Sequence, residues 1–220
     1  MALQARARAT RDAIIHAAVE IFEETGYGDT GLIDIINRAA VTKGAFYYHF
    51  STKEAVAAAI IGEAYSRTHE LVMRTVRDAS SPALENFIRA TFVVAEQIRS
   101  DQVVRVGHEL RQALPMGRGA ALADFDARRS VFVGAVEAAI AEGDVLDDVD
   151  PEEVTDTVRA AAVGAHALLG TTNDAVFTYL SETWRVVLRG IVPAQSLSYF
   201  SEFVTRLGQQ YLVAVNAQAK

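Results

Sequence analysis

The sequence predicts an all-α protein, with a short N-terminal unit of three helices over residues 1–52 and a larger helical body over residues 53–220. Three observations predict it. The chain has 220 residues, half of them apolar, which is enough to bury a substantial core. Its prolines, Pro82, Pro115, Pro151 and Pro193, are far apart, and the stretches between them are rich in Ala, Leu, Glu, Arg and Val. Those stretches lack the alternation of β-branched residues that marks strands, and their apolar positions recur at helical spacing.

The first helix is predicted from about Thr10 to Thr25, with Ile14, Ala18, Ile21 and Phe22 on one face and Gly26 placed to end it. After Tyr27-Gly-Asp, a second helix begins near Thr30 and turns Leu32, Ile35, Ile36 and Ala39 inward. A third runs from Thr42 to near Phe50. Ser51-Thr-Lys-Glu54 has the S-x-x-E pattern of a capping box, so a long fourth helix is expected from there to about Asp78. Ser80-Ser-Pro-Ala breaks the chain before helices over Leu84–Arg99 and Val103–Leu114, and Pro115-Met-Gly-Arg-Gly reads as a loop. A helix over Ala121–Glu142 stops at Gly143. Asp150-Pro-Glu-Glu153 combines a capping aspartate, a proline at the first helical position and acid in the first turn. The helix it opens carries Ala160, Ala161, Ala162, Gly164 and Ala165, small enough for close helix approach. Helices over Asp174–Arg189, containing Trp184, and Ser196–Val215 complete the chain.

Composition narrows the function classes. With no cysteine, disulfides, thiolate zinc sites, iron–sulfur clusters and cysteine nucleophiles are excluded. No apolar window approaches the ~20 residues of a membrane span, and the N-terminus lacks a signal-peptide core, so a cytoplasmic protein without membrane contact is expected. The net charge of −7 is unevenly spread. Residues 1–55 hold six Lys/Arg against seven Asp/Glu, and residues 56–220 hold fifteen against twenty-one. Within the first segment Arg6, Arg8 and Arg11 stand at the start and Lys43 and Lys53 later, while Glu20, Glu23, Glu24 and Asp29 cluster near the end of the first helix. A local basic face is therefore compatible with an acidic protein.

Two short helices joined by a tight turn and braced by a third form a DNA-reading unit, the second short helix entering the major groove. Leu32–Ala39 fits the positioning helix, Ala40-Val41 the turn and Thr42–Tyr48 the recognition helix. The Thr42 hydroxyl and nearby backbone N–H groups suit a phosphate, and Lys43 suits guanine O6 and N7. Gly44 permits close approach to the duplex. Tyr47, Tyr48 and His49 suit phosphate or thymine-methyl contacts, whereas Phe46 and Phe50 fit a core. Lys53 is expected to hold a further phosphate, and the basic arm Arg6-Ala-Arg8 to follow the backbone or enter the minor groove.

Val41-Thr-Lys-Gly-Ala-Phe-Tyr-Tyr-His-Phe50, followed by Lys53-Glu54 and preceded by Phe22, Gly26-Tyr27 and Thr30, resembles the DNA-binding signature of the TetR family of repressors over about residues 10–60. The resemblance adds Thr30 to the DNA-contacting candidates. It departs at Ala40, where the family usually has glycine; if the turn needs positive φ, alanine costs about 1 kcal/mol there. Arg8-Ala-Thr-Arg-Asp-Ala-Ile-Ile-His-Ala-Ala18, Val103-Val-Arg-Val-Gly-His-Glu-Leu110 and Trp184 with Leu188-Arg-Gly-Ile-Val-Pro193 are similar to γ-butyrolactone-type autoregulator receptors. That subgroup implies a repressor of specialised-metabolite genes that leaves a palindromic operator when a lactone, butenolide or furan signal binds. It often has a pocket tryptophan where this chain has Arg128 or a neighbour such as Phe125.

The resemblance also implies a small, mostly apolar effector held by the body. Phe87, Phe92, His108, Phe125, Phe132, His166 and Thr171 are the lining candidates. The structural alternative stands beside each of them, because aromatics at helical spacing normally fill cores. The five histidines, His16, His49, His69, His108 and His166, show no metal-ligand spacing, and neither a cofactor nor a metal is expected. Arg128-Arg129 reads as a solvated pair. Because one recognition helix reads only a few base pairs, a homodimer is expected, formed by the helices Pro151–Thr171 and Asp174–Arg189 in a four-helix bundle. A helical enzyme is disfavoured, since the chain has no Gly-rich phosphate loop and no G-x-S-x-G elbow. A helical interaction module without DNA binding is the other alternative.

Overall fold

The computed structural model describes residues 2–114 and 120–218 of the chain. Among them are ten helices and no strand: α1 (Ala2–Thr25), α2 (Leu32–Arg38), α3 (Lys43–His49), α4 (Lys53–Val76), α5 (Ala83–Ser100), α6 (Gln102–Ala113), α7 (Ala120–Glu142), α8 (Pro151–Leu169), α9 (Ala175–Ile191) and α10 (Leu197–Gln218). Every helix expected from the sequence is present, and the differences lie at the ends. The expected loop over residues 115–119 lies outside the described residues.

The largest difference is at α1, which begins eight residues before Thr10 and takes in the stretch read as a basic arm. Ala, Leu, Gln and Arg are all strong helix formers, and Thr10 does not interrupt them because its hydroxyl donates back to Arg6 O at 3.1 Å. Arg6 and Arg8 are therefore helical. At α4 the cap is Thr52, whose Oγ1 accepts from Ala55 N at 3.2 Å, so the capping pattern sits one residue beyond Ser51. The α2 cap is Gly31, whose N–H donates to the Asp34 carboxylate at 2.9 Å.

By its internal contacts the chain divides into two compact units, residues 1–67 with 101–124 and residues 68–100 with 125–220. The core of the first joins Ile14, Ala18 and Phe22 of α1 to Ile35 and Ile36 of α2, Phe46 of α3, Ile60 of α4 and Val106 and Leu110 of α6. α6 is a full member of this unit. Gly107 allows its close approach to α4, because a Cβ at that position would lie 2.5 Å from Ala64 Cβ and 3.3 Å from Ile60 O. Arg105 ties α6 to Glu23 of α1 at 2.6 Å, and Gln102 donates to the same carboxylate.

The second unit is built around Trp184, which is completely buried. Its indole Nε1 donates to Thr91 Oγ1 at 2.9 Å, and that hydroxyl donates in turn to Ile88 O at 2.7 Å, so the one polar handle of the ring is satisfied. Asp150 caps α8 by accepting from Glu152 N at 2.8 Å, with Pro151 at the first helical position, as the sequence predicts. Arg128 and Arg129 are not a solvated pair. Arg128 donates to the Thr68 hydroxyl, and Arg129 bridges α7 to Asp156 at 2.8 Å and Glu152 at 3.0 Å on α8. No helix among the described residues is long and apolar enough to cross a membrane.

Candidate nucleic-acid interface

The turn between α2 and α3 is held by its own backbone. Ala39 N donates to Ile35 O at 2.9 Å, Ala40 N to Asn37 O at 3.1 Å and Val41 N to Ile36 O at 3.3 Å. Ala40 has φ = 52°, in the left-handed region that favours glycine. The alanine thus stores strain where the reading of the turn placed it. α3 starts from Thr42, whose Oγ1 accepts from Ala45 N at 3.1 Å. The Thr42 oxygen accepts that capping bond, which does not use its O–H donor, and the first N–H groups of α3 have no intrahelical acceptor.

From this start α3 sorts its residues cleanly. Phe46 is fully buried and packs on Phe50, whose far face carries the Arg11 guanidinium at 5.2 Å. Lys43 and Gly44 are exposed, Tyr47 is 56% and Tyr48 79% exposed. Residues four apart lie above one another on a helix, so Lys43 with Tyr47 and Gly44 with Tyr48 make one continuous face. A Cβ at Gly44 would meet nothing within 4 Å, so the protein's own packing does not call for glycine there. His49 is half-buried with its ring 4.9 Å from that of Tyr48, edge to face.

Two residues expected at DNA are engaged inside the protein. Thr30 is buried, donating to Gly26 O at 2.8 Å and meeting Thr25 Oγ1 at 3.0 Å. Lys53, expected to hold a phosphate, donates through Nζ to Tyr27 O at 2.7 Å and Thr30 O at 2.8 Å, with the Tyr27 ring 4.2 Å away. Two charge-assisted bonds to main-chain carbonyls take two of its three N–H donors, and an aromatic face lies beside it. Tyr27 OH donates to Glu54 at 3.1 Å, and burial together with that carboxylate pushes the phenol up to about 12. Lys53 and Glu54 therefore clamp the α1–α2 loop to the start of α4. Sequence reasoning missed this clamp because its partners lie more than twenty positions apart, beyond any local pattern.

Charge is sorted in the same unit. Arg38 of α2 pairs with Glu24 at 2.8 Å and Glu20 at 3.3 Å, and its hydrogen bond holds the Glu24 carboxyl below the usual range. Glu23 pairs with Arg105. Glu20, Glu23 and Glu24 at the end of α1 are thus taken up in ion pairs, whereas the exposed Arg6, Arg8 and Lys43 enter none among the described residues. Arg6, Arg8 and Lys43 with the rings of Tyr47 and Tyr48 are exposed, the chemistry of phosphate and base-edge contact.

Of the effector-lining candidates, Phe87 and Phe132 are brought into contact. Phe87 and Phe92 are core residues: Phe87 meets Trp184 edge to face at 5.1 Å and Phe132 at 5.5 Å, and Phe92 stacks on Phe177 at 6.3 Å. Phe132 is half-buried against that core. His166 is buried, and burial lowers its imidazole below the usual value. Thr171 is half-buried in the turn after Gly170, His108 belongs to the other compact unit, and the Phe125 side chain lies outside the described residues.

A short helix with an exposed basic and aromatic face, set on a second helix by a left-handed turn, defines the class: a helix-turn-helix regulator. Comparison with known proteins narrows this. Residues 14–60 match the model for bacterial regulatory proteins of the TetR family, and residues 80–193 match a tetracyclin repressor-like C-terminal domain. The chain belongs to the TetR family. That family is one of bacterial regulatory proteins. The A-factor receptor protein of Streptomyces griseus is 49% identical over 63 residues, which is 29% of this chain and 23% of that protein. The repressor DhaR of Mycobacterium sp. (strain GP1) is 34% identical over 83 residues, 36% of this chain and 42% of DhaR. The chain thus spans under half the length of these curated relatives. Among solved structures, a γ-butyrolactone receptor described as ArpA-like is 30% identical with a TM-score of 0.71, covering 93% of this chain and 99% of that one. CprB from Streptomyces coelicolor, solved with its operator sequence, is 30% identical at a TM-score of 0.74, with the same coverage of both chains.

Proposed function

We propose that this protein is a ligand-responsive repressor that binds a palindromic operator as a homodimer, with Lys43, Gly44, Tyr47 and Tyr48 facing the major groove. Residues 1–52 carry DNA reading, and residues 53–220 carry effector sensing and dimerisation. The observation that carries the reading is the solvent-facing side of α3, where two tyrosines and an unpaired lysine stand open around a glycine that packing does not need. Thr42 and His49 border this face, and Arg6 and Arg8 supply cations for backbone contact from α1. Thr30 and Lys53 act through the loop they hold. A protein with this partner works in the cytoplasm.

The likeness to a γ-butyrolactone receptor along nearly the whole chain supports a lactone, butenolide or furan signal as effector, and control of specialised-metabolite genes. Dimerisation through α8 and α9 is supported by two large apolar side chains left in solvent, Leu168 at 78% and Val186 at 68% exposure. A two-fold dimer places two α3 helices on half-sites one DNA turn apart, about 34 Å. The test begins with selection of bound fragments from random DNA. A palindrome should emerge, and Leu168→Glu with Val186→Glu should yield a monomer by sedimentation that binds it at least tenfold more weakly. Selection of no common sequence refutes the DNA-reading function, and a double variant that stays dimeric refutes the α8–α9 surface.

A further inference from the structure

Within the first compact unit, residues three or four apart on α1 share a face, so Arg8, Arg11 and Ile15 form one stripe. Ile15 is 4% exposed and belongs to the same core as Phe50, whereas Arg8 and Arg11 are exposed. The stripe therefore leaves the core and enters solvent within about two turns, and its two arginines stand in the solvent part. Phe50, the residue that ends α3, is 5% exposed, with its ring 6.2 Å from that of Phe46. The Arg11 guanidinium lies over this ring, 5.2 Å from its centroid.

The way Arg11 is held differs from that of the other arginines that tie helices of this unit together. Arg38 is closed by Glu20 and Glu24, Arg67 by Glu63 and Asp101, and Arg105 by Glu23. Arg11 rests on an aromatic ring and enters no ion pair among the described residues. A guanidinium lays its flat face on a ring and keeps its N–H donors at the edge, so this contact orients the side chain without neutralising it. A cation that only braces two helices is served by a carboxylate, as those three are. One anchored on a ring keeps its whole charge for an anion outside the protein. Because the ring belongs to the residue that ends α3, the anchor ties that charge to the helix bearing Lys43, Tyr47 and Tyr48.

We infer that Arg11 is a DNA-phosphate contact: anchored on Phe50, its guanidinium meets the backbone beside the groove that α3 enters, and it seats α3 there without reading a base. The inference rests on the DNA-reading function proposed above. The test is binding of the full-length protein to the selected operator and to a scrambled duplex between about 50 and 200 mM salt, with thermal melting of the same variants. Arg11→Gln should weaken both duplexes alike, by about 3–10-fold at the lowest salt, and flatten the plot of log K against log salt by about 0.9 for each copy bound. Arg11→Lys keeps the charge and should restore the slope. Arg77→Gln removes an exposed charge from the other unit and should leave the slope as in wild type. A purely structural brace gives a different result, a lower melting temperature for Arg11→Gln with the wild-type slope, and that result overturns the contact. A loss confined to the operator also overturns it, because Arg11 would then read a base. A wild-type protein that binds neither duplex refutes DNA reading itself, whereas wild-type binding with no change of slope in Arg11→Gln refutes this contact alone.

Discussion

The α3 face and the core around Trp184 use the same kind of residue for opposite ends. Tyr47 and Tyr48 hold their rings in water, whereas Phe87, Phe92, Phe177 and Trp184 hold theirs completely or almost completely out of it. A large aromatic ring left in solvent forgoes about 1.5–3 kcal/mol of burial, and a small domain with a free choice of residue would not place two side by side. Burial explains the second set as structure. We attribute the first to the proposed DNA partner.

Substitutions sharpen this contrast, beginning with the largest effect. Trp184→Ala should cost about 3–5 kcal/mol in urea denaturation, from the cavity and the loss of the Thr91 partner, while Tyr48→Ala should stay within about 0.5 kcal/mol of wild type. Similar costs for the two would erase the distinction between core and reading face. Lys53→Met removes two charge-assisted bonds and leaves the Tyr27 and Thr30 carbonyls unmet, so the first unit should lose about 1–3 kcal/mol. An unchanged melting temperature with a salt slope of DNA binding reduced by about one would instead make Lys53 a phosphate contact. Ala40→Gly should stabilise by about 1 kcal/mol by relieving the positive φ, read as a higher denaturation midpoint.

The smallest effect is one of pH. His166 has its folded pKa lowered from 6.5 by burial, so as pH falls below 6.5 the unfolded chain takes up a proton before the folded one does. Stability is present above 6.5 and is lost as pH falls from there toward the lower folded value. His166→Gln should flatten that part of the stability–pH curve, and an unchanged curve would show that the imidazole stays neutral for no energetic reason.

The contrast also explains what could be seen in the sequence. Helix existence was legible throughout because periodicity and caps are local, as at Asp150-Pro151 and at Gly26. The start of α1 was misplaced because Thr10 resembles a cap yet bonds backwards to Arg6 O, a choice that depends on helix formers upstream. In the first unit, the Lys43–Tyr48 face followed from helical spacing, and the strain at Ala40 from the glycine that the family resemblance implies there. Lys53 did not, since its partners on the α1–α2 loop come near only after the first three helices pack. Gly107 lay inside a recognisable string, but its purpose needs Ala64 of another helix. In the body, the effector-lining candidates were chosen by type, and type does not give burial: Phe87 and Phe92 are buried, whereas Phe132 is half-buried.

On the proposed function, the open face of α3 reads base sequence. Its most direct test is the affinity of Lys43→Ala for the selected operator and for a scrambled duplex, at one salt concentration, alongside its melting temperature. The prediction is a loss of about 1–3 kcal/mol in discrimination between the two duplexes with the melting temperature unchanged, because Lys43 touches no other part of the protein by ion pairing. Equal losses on both duplexes, or no loss on either, would contradict it.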